Sequence, residues 1–86
     1  MRIIYSPSFA KAYRKLPEKV KRMAEKKESV FRTNPFHPSL KTHKLSGKLA
    51  GLFSFSINQK YRIIFELNED KREAYFHTAG DHDIYE

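Results

Sequence analysis

Two consecutive segments in the second half of the chain alternate between apolar and polar residues, and this pattern constrains the fold most strongly. LFSFSI (residues 52–57) places phenylalanine or isoleucine at every second position from residue 53, with serines between them. YRIIFEL (61–67) repeats the period of two after the short turn NQK. This period is typical of half-buried strands, so the two segments predict a β-hairpin. EAYFHTA (73–79), after the turn NEDKR, predicts a further strand.

The first half of the chain has the pattern of one strand and two helices. RIIY (2–5) is a β-branched apolar run that predicts a strand. Ser6 and Pro7 suit the cap and the first position of a helix, which Leu16-Pro17 interrupts because proline disfavours helix at the preceding residue. An apolar stripe at helical spacing then predicts a second helix, with Val20, Met23, Ala24, Val30 and Phe31 on it. Lys27 falls on the same stripe, which indicates that its edge is partly open.

These elements predict a single domain over residues 1–86 with an α+β fold of order β-α-α-β-β-β. Two N-terminal helices would pack on one face of a small twisted antiparallel sheet, which the first strand joins from the far end of the sequence. Residues 39–51 are expected to form a basic, irregular arm. If the apolar strand positions face the helices, Arg62, Ser54 and Ser56 share the opposite face. We expect that face to be polar, basic and concave.

The charge of the chain is strongly positive and unevenly distributed. Lys and Arg number 17 against 10 Asp and Glu, which gives a net charge of +7. Residues 29–65 contain six Lys or Arg and no acidic residue, whereas seven of the acidic residues lie in residues 66–86. An acid-free basic stretch of this length is typical of a surface that binds a polyanion such as nucleic acid.

Other features narrow the class of protein. The chain has no cysteine, so disulfides and thiolate metal sites are excluded, and a reducing, cytoplasmic setting is expected. MRIIYSPSF lacks the apolar run and cleavage site of a signal peptide. The longest uncharged stretch, residues 49–59, is too short and too polar to cross a membrane. We therefore expect no membrane association.

Three clusters carry side chains that suit phosphodiester cleavage in RNA: HKLSG (43–47), KYR (60–62) and GDHDIY (80–85). In that reaction the 2′-hydroxyl loses a proton, the phosphate gains charge and the 5′-oxygen leaves protonated. Histidine titrates near neutrality and can act as acid or base. Arginine binds phosphate oxygens through two hydrogen bonds and keeps its charge. The reaction requires no cofactor and no metal, and the histidine spacing matches no metal-ligand pattern.

The sequence resembles the RelE/ParE superfamily of toxins from bacterial type II toxin–antitoxin modules. The resemblance covers essentially the whole chain and rests, in order, on IIYSPSFAKAYRKLP, HKLSG, FSFSINQKYRIIFEL and GDHDIYE. It is strongest to the RelE, YoeB and YafQ branches, which are ribosome-dependent mRNA endonucleases that cut in the A site. The resemblance implies mRNA and the ribosome as partners. It also implies an antitoxin whose acidic, partly disordered segment binds this basic chain in a hetero-oligomer.

The same resemblance implies roles for individual residues. His82 matches the acid/base histidine of the tail, and Arg62 matches the strand arginine that holds the phosphate. Tyr85 matches the aromatic residue that stacks on or orients the base. His43 matches a histidine before L-x-G in YafQ-like members. Four lysines of the acid-free stretch are expected to contact RNA: Lys41, Lys44, Lys48 and Lys60.

Two other functions stay open at this point. A toxin of the ParE type poisons DNA gyrase and has the same fold, although that branch generally lacks the pairing of Arg62 with a GDHDIY tail. A non-catalytic binding module that retains only antitoxin pairing is the second alternative. It is suggested by two departures from YafQ-like chains, which have a histidine at Ser56 and an aspartate at Lys60.

Overall fold

A computed structural model describes residues 1–85, apart from the side chain of His82. These described residues form two α-helices and five strands: β1 (Arg2–Tyr5), α1 (Pro7–Arg14), α2 (Glu18–Thr33), β2 (His43–Lys44), β3 (Phe53–Ser56), β4 (Arg62–Leu67) and β5 (Glu73–Gly80). Three short 3₁₀ helices lie at Pro38–Leu40, Gly47–Leu49 and His82–Tyr85. Among the described residues, no helix combines the length and apolar character needed to cross a membrane.

All five strands belong to one sheet in the order β1-β5-β4-β3-β2. The α+β class is confirmed, and the first strand joins the same sheet as the C-terminal strands, as expected, at the edge beside β5. The prediction of a wholly antiparallel sheet is wrong in one respect, because β1 runs parallel to β5. The connections among β2, β3, β4 and β5 are too short for a crossover, so these strands form antiparallel pairs, but β1 is connected to the rest through both helices and the arm. A connection of that length permits a parallel pair.

The helices begin and end where the local signals predict. The Ser6 hydroxyl accepts a hydrogen bond from the Phe9 backbone N–H at 2.9 Å and donates to the His77 carbonyl, also at 2.9 Å. This cap therefore also attaches the start of α1 to β5. The first helix ends at Arg14, and α2 begins directly after Pro17.

An aromatic core fills the space between the helices and the sheet. Phe31 of α2 is fully buried, and its ring centroid lies 4.8–5.2 Å from those of Phe55, Phe65 and Phe76 on β3, β4 and β5. Rings at these separations interact favourably beyond the area they bury. The core therefore fixes α2 over the middle of the sheet and leaves the other face to the rest of the chain.

The arm over residues 39–51 is more structured than the sequence predicts. It contains the two-residue strand β2 and parts or all of two 3₁₀ helices, although no long regular element, as expected. A left-handed backbone at Lys41, with φ +52° and ψ +43°, ends the first 3₁₀ helix and leads the chain into β2. Two residues give no measurable period, which is why the pattern did not reveal this strand.

Candidate active site

The sheet face opposite the helices, here called the distal face, carries the residues singled out in the sequence. Strand register places His43, Ser54, Ile64 and Thr78 in one row. Ser56, Arg62 and Gly80 form the next row. The flanking positions Phe55 and Ile63 belong to the core, so alternation points both rows away from the helices. The structure thus brings Arg62, His43 and the start of the tail onto one face.

Arg62 is half-buried at the start of β4. One guanidinium nitrogen donates hydrogen bonds to the carbonyls of Asn58 and Tyr61, the latter at 3.1 Å. The Asn58 side chain in turn accepts from the backbone N–H groups of Lys60 and Tyr61 at 2.9 and 2.8 Å, which shapes the β3–β4 turn. The turn therefore orients the guanidinium, whose remaining donors have no hydrogen-bond partner among the described residues and can bind an anion.

A cavity of about 360 Å³ lies beside Arg62, between the β3–β4 turn, α2 and the arm. This basic cavity is lined by, among others, Lys27, Lys41, Arg62, Ser39, Ser56 and Asn58. Within the described part of the chain, none of its three cations lies within 4 Å of a carboxylate. Three uncompensated positive charges around one cavity favour an anionic ligand.

His43 lies at the exposed edge of the same face. Its Nδ1 is 3.3 Å from the Lys41 carbonyl oxygen, and its register partner is Ser54. His43 on β2 is two strands away from β4, and Arg62 lies two residues before Ile64, the β4 residue in the same row as His43. Their Cα atoms are therefore on the order of 12 Å apart. The two side chains can therefore approach one phosphodiester from different sides without contacting each other.

The C-terminal 3₁₀ helix folds back over the distal face. Tyr85 Oη is hydrogen-bonded to Ser54 Oγ at 2.7 Å, so the tail crosses β4 on its way from β5 to β3. A Cβ added at Gly80 would lie 2.6 Å from Ile84 Cγ2, which explains why a glycine precedes the tail. Tyr85 thus anchors the tail to the sheet. The side chain of His82, predicted as an acid/base group, lies outside the described residues.

This fold-back corrects the expectation of an open polar face. Ser54 is fully buried and Ile64 is 2% exposed, although both point away from the helices. The tail runs over this row, and the Tyr85 hydroxyl satisfies the buried serine. The accessible basic surface is therefore the end of the face near Arg62 and His43, not its centre.

The predicted RNA-binding lysines occupy different positions. Lys41 lines the basic cavity, whereas Lys44 pairs with Phe53 and so falls in the register row of the helix-facing side. Lys48 is exposed in the second 3₁₀ helix. The ammonium of Lys60 lies 5.4 Å from the centre of the Tyr61 ring in the β3–β4 turn. Contact with RNA stays a prediction for all four.

The opposite end of the distal face, next to β1, is built from paired charges. Arg2 lies 3.4 Å from Glu73, and His77 Nε2 lies 3.0 Å from Glu66 Oε1. His77 has no register partner, because Ile64 pairs with Thr78 and Phe65 with Phe76. Such a bulge turns an additional side chain to the same face, here toward Glu66.

A second cavity, of about 340 Å³, lies between the helices and the sheet. Its lining is largely aromatic and aliphatic, with two glutamates, and includes Tyr5, Phe9, Tyr13, Glu25, Glu28 and Ile63. Burial and the neighbouring Glu28 raise the pKa of the Tyr5 phenol. Apolar walls and carboxylates do not favour a polyanion, so we place the candidate active site at the basic cavity.

Comparison with known proteins identifies the fold. No protein-family model matches the chain, and neither does any curated protein sequence. Among solved structures, a YoeB/ParE toxin from Agrobacterium tumefaciens superposes with a TM-score of 0.80 at 16% identity, covering 95% of this chain and 99% of that one. YafQ from E. coli gives 0.80 at 19%, covering 99% and 98%. The toxin–antitoxin complex RelBE2 from Mycobacterium tuberculosis gives 0.78 at 15%, covering 94% and 96%.

The chain has the RelE-like toxin fold. The resemblance to RelE, YoeB and YafQ is therefore confirmed at the level of fold, over nearly the full length of both partners in each comparison. In this RelE-like fold the sheet, the β3–β4 turn and the tail position Arg62, His43 and Tyr85.

Sequence reasoning missed two residues that shape this site. The sequence pattern places Lys27 on the apolar stripe of α2, but it does not show that Lys27 lines the basic cavity, because that position depends on how α2 packs against the arm. The sequence pattern does not identify Ile84, although Gly80, four residues before it, is a residue type that often marks a close approach of a side chain to the backbone. Both signals are visible in the sequence but gain meaning only from tertiary contacts.

Proposed function

We propose that this protein is the toxin of a type II toxin–antitoxin pair and a ribosome-dependent mRNA endonuclease. The observation that carries the proposal is the basic cavity, in which Lys27, Lys41 and Arg62 converge without a nearby carboxylate among the described residues. His43 lies close to one residue of this lining, because its Nδ1 is 3.3 Å from the Lys41 carbonyl oxygen, and the tail returns to the sheet through the hydrogen bond between Tyr85 and Ser54. The RelE-like fold supports the same class of activity.

The proposed reaction needs one base, one acid and stabilisation of the phosphate. The 2′-oxygen attacks phosphorus as its proton passes to the base, and the bond from phosphorus to the 5′-oxygen breaks. The 5′-oxygen takes a proton from the acid, which leaves a 2′,3′-cyclic phosphate and a 5′-hydroxyl. His82 and His43 are the proposed acid/base pair. Arg62 would bind the phosphate oxygens as charge develops on them.

The remaining residues would position the strand. Tyr85 presents a half-exposed ring whose hydroxyl is fixed by Ser54, and we propose that a base stacks on this ring. Lys41, Lys44, Lys48 and Lys60 would contact the RNA backbone, which makes binding weaker as salt rises. The RelBE2 neighbour is a toxin–antitoxin complex. We propose a corresponding antitoxin here, with an acidic segment that covers the basic surface.

Primer extension on a defined mRNA in a purified translation system tests the proposal. Wild type and His82→Ala are compared with and without ribosomes. We expect cuts within the A-site codon only when ribosomes are present, and a large loss of rate in His82→Ala. Equal cutting by both proteins would move the acid/base chemistry to His43. Absence of cutting would exclude the nuclease, and inhibition of DNA supercoiling by gyrase would then identify a ParE-type toxin.

A further inference from the structure

We propose that Lys27 of α2 joins Lys41 and Arg62 in a pocket that binds a phosphate group of the RNA strand. This inference rests on the proposed function for the identity of the strand, but the pocket itself is argued from the cavity alone. With Lys27, α2 also contributes a residue to the site, which the sequence analysis had assigned to the arm, one strand and the tail. Lys27 would be a binding residue for the substrate rather than part of the core.

The position of Lys27 is unusual for a lysine. It lies on the helix stripe that otherwise packs into the core, where Ala24 and Phe31 are buried, and it is itself half-buried. Its ammonium donates a hydrogen bond to the Ser39 carbonyl at 3.0 Å. An ammonium has three donors, so two more are available toward the cavity. The half-buried stem thus places the ammonium at the exposed mouth of the cavity, where no carboxylate of the described residues lies within 4 Å and an anion can reach it.

The other two cations of the cavity come from segments with a defined backbone conformation. Lys41 follows the 3₁₀ helix that contains Ser39, and its left-handed backbone, at φ +52°, is a conformation that non-glycine residues rarely adopt. Arg62 is oriented by the carbonyls of the β3–β4 turn. Three separate elements thus hold like charges around one space, although like charges repel. An anion that contacts all three would relieve this repulsion.

The lining favours a phosphate group over a planar carboxylate. The cations approach from three elements, and Ser39, Ser56 and Asn58 add neutral polar groups around them. A phosphodiester offers oxygens in several directions, and arginine matches two of them at once. The 37 residues from 29 to 65, which supply most of this lining, contain no acidic side chain. We therefore assign the pocket to the phosphate backbone of a single strand.

Thermal unfolding in inorganic phosphate tests the pocket without any cleavage. Ligands that bind the folded state raise the melting temperature, and sodium chloride at matched ionic strength provides the baseline. Wild type should gain in melting temperature with phosphate, and Lys27→Met should lose most of that gain. Lys26→Met, an exposed neighbour on the same helix, is the matched control and should keep it. A general salt effect would act on both variants equally and would overturn the pocket.

A short single-stranded DNA, which lacks the 2′-hydroxyl and is not cleaved, tests the assignment to a strand. Loss of a hydrogen bond to a charged group should weaken binding about tenfold or more in Lys27→Met. The slope of log affinity against log salt should fall by about 0.7. Unchanged affinity and slope would overturn the strand assignment. Phosphate binding without cleavage of mRNA would support the pocket and contradict the proposed nuclease activity. Cleavage of mRNA without phosphate binding would support the nuclease activity and contradict the pocket.

Discussion

The two ends of the distal face carry similar side chains in opposite electrostatic settings. Next to β1, Arg2 is paired with Glu73 and His77 with Glu66, and the Tyr75 hydroxyl donates to Glu73 at 3.3 Å. We call these residues the paired end. Toward β2, Arg62 of the distal face lies around the basic cavity with Lys41 of the arm and Lys27 of α2, and none of the three has such a partner among the described residues. We call that region the basic end.

The charges of the paired end interact with one another, whereas we propose that the charges of the basic end bind a ligand. The charges of the paired end offset one another, but exposed ion pairs of this kind add little to the free energy of unfolding. Uncompensated cations at the basic end repel one another in the free protein. They are therefore expected to matter for binding and catalysis more than for folding. Substitutions at the two ends should separate these effects.

The largest effect on the stability of the fold is expected where the tail meets the basic end. In Gly80→Ala the new Cβ would lie 2.6 Å from Ile84 Cγ2, so the Ile84 side chain or the tail that carries it must shift. Overpacking of this kind lowers the free energy of unfolding by about 1–3 kcal/mol. Cleavage should fall as well, because the tail carries His82 and Tyr85. Urea unfolding and the translation assay measure the two effects.

Ile84→Ala is the control for this displacement. Combined with Gly80→Ala it removes the atom that the new Cβ meets, so the double variant should recover part of the stability and activity. The His77–Glu66 pair should be unaffected throughout, which an NMR spectrum of the paired end can check. Full stability and activity in Gly80→Ala alone would mean that the tail does not depend on this contact.

A smaller effect is expected at the anchor of the tail. Ser54→Ala and Tyr85→Phe each remove one partner of the same hydrogen bond, and Ser54 is fully buried. Each should cost about 1 kcal/mol in the free energy of unfolding. The double variant should cost less than the sum, because both remove a single interaction. Strictly additive values in urea unfolding would show that the two residues act independently.

The smallest effect concerns the electrostatics of the paired end. The negative charge of Glu73 raises the pKa of the Tyr75 phenol, with burial and the Glu73 hydrogen bond acting in the same direction. Glu73→Gln should therefore lower the pKa of Tyr75 toward its usual value, as followed by NMR titration. Glu18→Gln, on α2, should leave it unchanged. An unchanged Tyr75 pKa in Glu73→Gln would contradict the assignment of Glu73 as the charge that acts on Tyr75.

The fold was largely predictable because its signals are local. Alternation identified β3 and β4, and the Leu16-Pro17 break separated the helices. The parallel pair of β1 with β5 was not predictable from the same rules, since the long connection through both helices leaves the direction of β1 free. β2 has two residues, too few for a period to be seen.

The site was predictable to a lesser extent. Alternation placed Arg62 correctly on the distal face, opposite the core residue Ile63. The same reasoning wrongly left the centre of that face open, because a serine such as Ser54 is compatible both with solvent and with burial beneath a tyrosine. Lys27 could not be assigned to the basic cavity because that position depends on the packing of α2 against the arm.

One pair of variants tests the central claim, that the basic end and not the paired end is the working site. Arg62→Ala and Arg2→Ala each remove one arginine from the same face, and both are assayed for A-site cleavage, with melting temperature as the check of folding. We predict that Arg62→Ala remains folded and loses roughly 10²- to 10³-fold in cleavage rate, whereas Arg2→Ala cleaves like wild type. Equal cleavage by the two folded variants would contradict the account.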